Sequence, residues 1–112
     1  MKIWVDDIRP MPEGYDKHCR SVNETKRTIW YCERFEVPID LIDLDHDLGD
    51  YSSDGGDAIK LMDYLLERQT FYPLSFHTAN PVGLQNMKRM YEKHWVGNIN
   101  TLYKELNNGE EN

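Results

Sequence analysis

The chain has 112 residues, enough for about one ordinary domain, with 39% hydrophobic and 29% charged residues. Its net charge of -7 argues against a broad phosphate-backbone footprint, the dominant source of nucleic-acid affinity. A small phosphorylated ligand stays compatible with that charge if a metal ion supplies the missing positive charge.

No stretch approaches the roughly 20 apolar residues of a membrane span, and "MKIWVDDIRP" lacks the regions of a signal peptide, so a cytoplasmic location is expected. Cys19 and Cys32 are too isolated for a disulfide framework or a C-x-x-C site and read as reduced packing residues.

In chain order, "KIWVD" (Lys2 to Asp6) predicts a first strand, and "RPMPEGY" after it, with two prolines and a glycine, predicts a loop. A short second strand is expected over Lys17 to Arg20. Ser21 and Glu24 have the spacing of a capping box, opening a helix whose apolar stripe takes Val22, Thr25 or Lys26, Ile29, Trp30 and Phe35 and stops before Pro38. "PIDLIDLD" reads as a central strand, apolar on both faces.

The segment from Leu44 to Asp57 then carries five aspartates and a histidine. "DAIKLMDYLLER" predicts a second helix with Ile59, Met62, Leu65 and Leu66 inward, and "YPLSFHTA" a fourth strand. Asn80 and Pro81 supply an N-cap and a first helical residue, with Leu84, Met87, Met90 or Tyr91, and Trp95 on one stripe. "NINTLYKEL" is expected to add a short closing element to a single domain of residues 1–106, with 107–112 a disordered acidic tail.

This alternation predicts an α/β fold: an open parallel sheet of about four strands in order 2-1-3-4, with helices on both faces. Such sheets bind ligands outside the carboxyl ends of their strands, where chain order reverses. Asp6 and Asp7 end strand 1, Asp45, His46 and Asp47 end strand 3, and His77, Thr78 and Asn80 end strand 4.

Clustered carboxylates repel and call for a cation. Oxygen ligands favour Mg²⁺, while the two histidines leave Mn²⁺, Fe²⁺ or Zn²⁺ open. Asp6 and Asp7 cannot both face one pocket from an ideal strand, so one of them could only cap a turn. His46 alternates away from Asp45. Arg9 either grips a phosphate through its planar fork or pairs with Asp6 or Asp7. Asn80 caps a helix and can also face the pocket, whereas Asp50, Asp54 and Asp57 read as surface or capping residues. Asp43 shares a side with Asp45 but lies about 6 to 7 Å back along the strand and is left outside the site.

"VDD", "LIDLD", "DGGD" and "SFHTAN" resemble the receiver domain of two-component signalling. That resemblance implies that Asp6, Asp7 and Asp45 hold Mg²⁺ and that Thr78 contacts a phosphoryl group. The loop from Arg9 to Tyr15 stands where receivers have their first helix, and no clear fifth strand carries the lysine that completes their site. "WVDDIRPMPEGY", "DHDLG" and "HTANPVG" closely resemble the cyclic-phosphate processing receiver domains, a small receiver-like family.

The second resemblance implies a metal-dependent phosphoesterase acting on a cyclic nucleotide or an RNA 2',3'-cyclic end. In that role Asp6, Asp7 and Asp45 are metal ligands, and His46 and His77 activate water and protonate the leaving oxygen. Asp47 ligates metal or orients a histidine, while Arg9, Thr78 and Asn80 contact substrate. The alternative is a non-catalytic receiver-like module that binds a cation or ligand and presents a surface to a protein partner, whose identity the sequence does not indicate.

Overall fold

Strand β1 (Lys2–Val5) runs between β2 (Lys17–Cys19) and β3 (Leu41–Leu44), and β4 (Leu74–Phe76) flanks β3, giving a four-stranded sheet in order β2-β1-β3-β4 with every pairing parallel. The order is the one expected. The computed structural model describes residues 1–99; the tail and nearly all of "NINTLYKEL" lie outside the described residues.

The strands are shorter than the sequence suggests. Pro38 brings no N–H to a ladder, and β3 begins only at Leu41. Pro73 limits β4 in the same way, and beyond His77 the chain turns into the cap of the following helix.

Helix α1 (Val22–Arg34) starts as expected, with Ser21 Oγ accepting from the Glu24 amide at 3.0 Å. Its Glu24 carboxylate reaches back to the amide of Arg20 instead of Ser21, one residue beyond a standard capping box. Its buried face is Val22, Thr25, Ile29 and Cys32, a 3-4-3 spacing, which leaves Trp30 63% and Phe35 58% exposed. Helical phase thus outranks side-chain size, and the two aromatics assigned to the stripe lie outside it.

Helix α2 (Ala58–Glu67) buries Ala58, Leu61, Met62 and Leu65, with Ile59 and Leu66 at the edge of the core. Helix α3 (Pro81–His94) is capped by Asn80 Oδ1, which accepts from the Gly83 amide at 3.0 Å, and buries Gly83 and Met87, followed by buried Trp95.

Strand alternation separates two unlike faces. Ile3 and Val5, Cys19, Ile42 and Leu44, and Leu74 form one core with the buried residues of all three helices. Trp4, His18, Asp43 and Ser75 stand in register on the other face. The expectation of helices on both faces therefore changes: among the described residues, α1, α2 and α3 share one face. The two crossovers β2-α1-β3 and β3-α2-β4 step across the sheet in the same direction, and right-handedness puts both on the same side. Only the β1-to-β2 connection steps the other way, and there the chain is a loop. That loop covers the second face, with Tyr15 packed edge-on against Trp4 at 5.2 Å between centroids.

Candidate metal centre at the strand ends

Asp6 follows β1 directly and is fully buried. Its Oδ1 accepts from the amides of Ile8 (2.9 Å) and Arg9 (2.7 Å), turning the chain sharply, while Oδ2 lies 2.9 Å from His77 Nε2. One carboxylate therefore both caps the turn and faces the site. Because the strand ends at Val5, the alternation that would send Asp7 elsewhere no longer applies. Asp6, Asp7 and Asp45 each present an oxygen within 4.8 Å of the others. Gly49, at φ +53°, leaves room for the Asp7 carboxylate, which a Cβ at that position would overlap.

His77 is held from both sides. Its Nδ1 lies 2.7 Å from Asp43 Oδ1 and its Nε2 2.9 Å from Asp6 Oδ2, so each ring nitrogen faces a carboxylate oxygen, an arrangement that favours the imidazolium. Burial favours the neutral ring, but the hydrogen bonds and charges of Asp43 and Asp6 outweigh it and raise the His77 pKa above its ordinary value. Burial likewise works against the Asp6 and Asp43 anions. For Asp6 the Ile8 and Arg9 amides and His77 overcome it, and for Asp43 His77 and Tyr15 do so, leaving both below the usual carboxylate range.

Asp43 Oδ2 also accepts from the Tyr15 hydroxyl at 2.5 Å, which pushes the phenol up to about 12. Trp4 stacks on His77 with ring centroids 3.7 Å apart. Asp43, Tyr15 and Trp4 thus join the cluster in addition to the residues expected from the sequence. The available signal was a charge inside the buried run "LIDL", which requires a buried partner.

Asp45 behaves oppositely to Asp6. Burial and the neighbouring Asp6 charge raise its pKa, against the opposing hydrogen bond from Thr78 and the charges of Arg9 and His77. Thr78 is thus placed against Asp45, and its Oγ1 also accepts from the Asn80 amide. Arg9 is in the cluster, with NH1 donating to the His77 carbonyl and standing 3.7 Å from Asp6 Oδ2.

His46 and Asp47 form a separate group. His46 Nδ1 lies 2.8 Å from Asp47 Oδ1, and Asn80 Nδ2 donates to the same carboxylate at 3.1 Å. The His46 ring packs on Gly83 of α3, towards the helix face, whereas His77 lies over Trp4 on the other. The two histidines are therefore not brought together. Asp57 caps α2 by position and accepts from the Leu48 amide; Asp54 accepts from Ser21 and Asn23, tying the acidic loop to the start of α1.

A divalent ion fits the first cluster. Asp6, Asp7, Asp43 and Asp45 carry four formal negative charges and Arg9 and His77 two positive ones, and the net of -2 is what one such ion neutralises. Its holders would be Asp6, Asp7 and Asp45, all-oxygen donors of the kind Mg²⁺ takes.

No helix among the described residues is long and apolar enough to cross a membrane. No curated protein and no solved structure matches the chain. The model of the cyclic-phosphate processing receiver domain matches residues 1–93, from the first strand through most of α3 and across every residue of the cluster, so the chain belongs to that family.

Proposed function

We propose that the protein is a metal-dependent phosphoesterase that hydrolyses a cyclic phosphodiester, either of a cyclic nucleotide or of an RNA 2',3'-cyclic end. The observation that carries this reading is the convergence of Asp6, Asp7 and Asp45 within 4.8 Å at the sheet end where chain order reverses.

A divalent ion held by Asp6, Asp7 and Asp45 would supply positive charge to offset the negative charge that develops in the transition state. In the reaction a water oxygen bonds to phosphorus, one ring P–O bond breaks, and the released alkoxide takes a proton. His77, with both ring nitrogens facing carboxylates, is the group suited to place positive charge beside the leaving oxygen, which takes its proton from solvent. His46 is the group suited to take the proton of water: Asp47 orients it through Nδ1, and Nε2 has no hydrogen bond to a described residue. Arg9 beside Asp6, Thr78 against Asp45 and Asn80 on Asp47 are the groups suited to contact the phosphate. Turnover followed by phosphorus NMR tests the assignment: loss in the His46→Ala variant with cation binding retained, and in the His77→Ala variant at saturating cation, supports it, and unchanged turnover in the double variant contradicts it.

One observation favours a second reading. Both His77 nitrogens are already engaged by carboxylates, an arrangement suited to a fixed counter-charge in a non-catalytic receiver-like module. Acetyl phosphate labelling of Asp45 without turnover of any cyclic phosphate would support that module.

A further inference from the structure

Three hydrogen bonds join a loop residue to a candidate cation ligand. The Tyr15 hydroxyl donates to Asp43 Oδ2 at 2.5 Å, and His77 bridges two carboxylates, its Nδ1 2.7 Å from Asp43 Oδ1 and its Nε2 2.9 Å from Asp6 Oδ2. Given the cation site proposed above, on which this step rests, we infer that Tyr15 and Asp43 are positioning residues that act through His77 to fix the orientation of the Asp6 carboxylate.

The first support is geometric. A free carboxylate rotates about its Cβ–Cγ bond, but Asp6 has Oδ1 tied to two backbone amides and Oδ2 tied to His77. An outward lone pair on Oδ2 stays available to a cation, and its direction is set beforehand only if the imidazole itself cannot turn. Asp43 prevents that turn from the far edge of the ring, Trp4 from its face at a 9° interplanar angle, and Arg9 holds the His77 carbonyl. Asp43 is fixed in its turn by Tyr15, whose loop is pinned to β1 by the Asp16 amide on the Lys2 carbonyl and the Lys2 amide on the Asp16 carboxylate.

The second support is energetic. A buried aspartate–histidine pair costs desolvation that well-packed apolar side chains of the same size would avoid, so stability alone gives little reason for it. Outer groups that orient a metal-binding carboxylate give it a purpose. They also explain why the helix-free loop reaches under the sheet, since it delivers the Tyr15 hydroxyl to the polar face opposite the helices.

The test is Mn²⁺ affinity, measured by calorimetric titration of metal-stripped protein well below its melting temperature, alongside the ring N–H resonances of His77. Tyr15→Phe keeps the ring against Trp4 and keeps every charge, so a several-fold weaker Kd would report lost orientation alone. Asp43→Asn should weaken Kd by about 10-fold or more, the effect usual for outer groups of a metal site, and should displace the His77 resonances. Unchanged affinity in folded Tyr15→Phe and Asp43→Asn, even with lowered melting temperatures, would overturn the inference while leaving the cation site standing. Parent protein that binds no Mn²⁺ would remove the cation site and the inference with it. If Asp43→Asn does not fold, Tyr15→Phe decides the question.

Discussion

Trp4 and His77 lie face to face, with centroids 3.7 Å and planes 9° apart. The indole covers one side of an imidazole whose two nitrogens face Asp43 and Asp6, so the ring is held on its face and at both edges.

This arrangement sets the pH dependence of the metal-free protein. The folded-state pKa of His77 lies above its ordinary 6.5, so its stabilisation is complete below that value and disappears as pH rises through the folded-state pKa. Asp6 and Asp43 lie below their ordinary 3.8, so their stabilisation is present above that value and is lost as pH falls through the folded-state pKa values. Urea midpoints should therefore be highest between those ranges and decline on both sides, and His77→Gln should flatten the alkaline decline. An alkaline limb of the same steepness in that variant would contradict the assignment.

Asp45→Asn should have opposite effects on stability and binding. Burial and the Asp6 charge work against the Asp45 anion, so removing it should raise the melting temperature of the metal-free protein. The same change removes a candidate ligand. Parent protein should gain about 2.7 kcal/mol at a cation concentration 100 times its Kd, and the variant should gain nearly nothing. Thermal melts with and without Mn²⁺ measure both effects.

Gly83→Ala probes the contact between α3 and His46. An added Cβ would come within 2.5 Å of His46 Cγ. Alanine ordinarily favours a helix by about 1 kcal/mol over glycine, yet overpacking costs typically about 1–3 kcal/mol. The variant should be destabilised on balance, with the His46–Asp47 hydrogen bond displaced, as read by urea denaturation and the His46 ring resonances. A more stable variant would show that the ring does not pack there.

Cys19 and Cys32 are 0% and 1% exposed, and burial raises both thiols above their ordinary pKa. A thiol reagent at neutral pH should modify neither at an appreciable rate until denaturant is added, and fast labelling of native protein would contradict their place in the core.

The strand order was legible because elements alternate and crossovers have one hand. Asp6, Asp7 and Asp45 were legible because each follows an apolar run at a strand end. Asp43 was not, because its partner depends on cross-strand register: Trp4, Asp43 and Ser75 stand side by side, which places His77 two residues on within reach. Tyr15 gave no signal, since a loop has no periodicity to show which side chain turns inward. On α1, the apolar bulk of Trp30 outweighed the phase that selects Cys32. The second face of the sheet carries no helix among the described residues because the β1-to-β2 connection, which steps the other way across the sheet, is a loop, and periodicity does not show which face a loop covers.

Hydrolysis by metal-stripped protein, assayed against a panel of cyclic nucleotides and 2',3'-cyclic RNA ends with Mg²⁺, Mn²⁺ or Zn²⁺ restored separately, is the decisive measurement for a phosphoesterase. Turnover of at least one cyclic phosphate is expected, requiring added cation and lost in Asp45→Asn. Absence of turnover with every metal, from protein that binds the cation, would contradict the phosphoesterase and leave a receiver-like binding module.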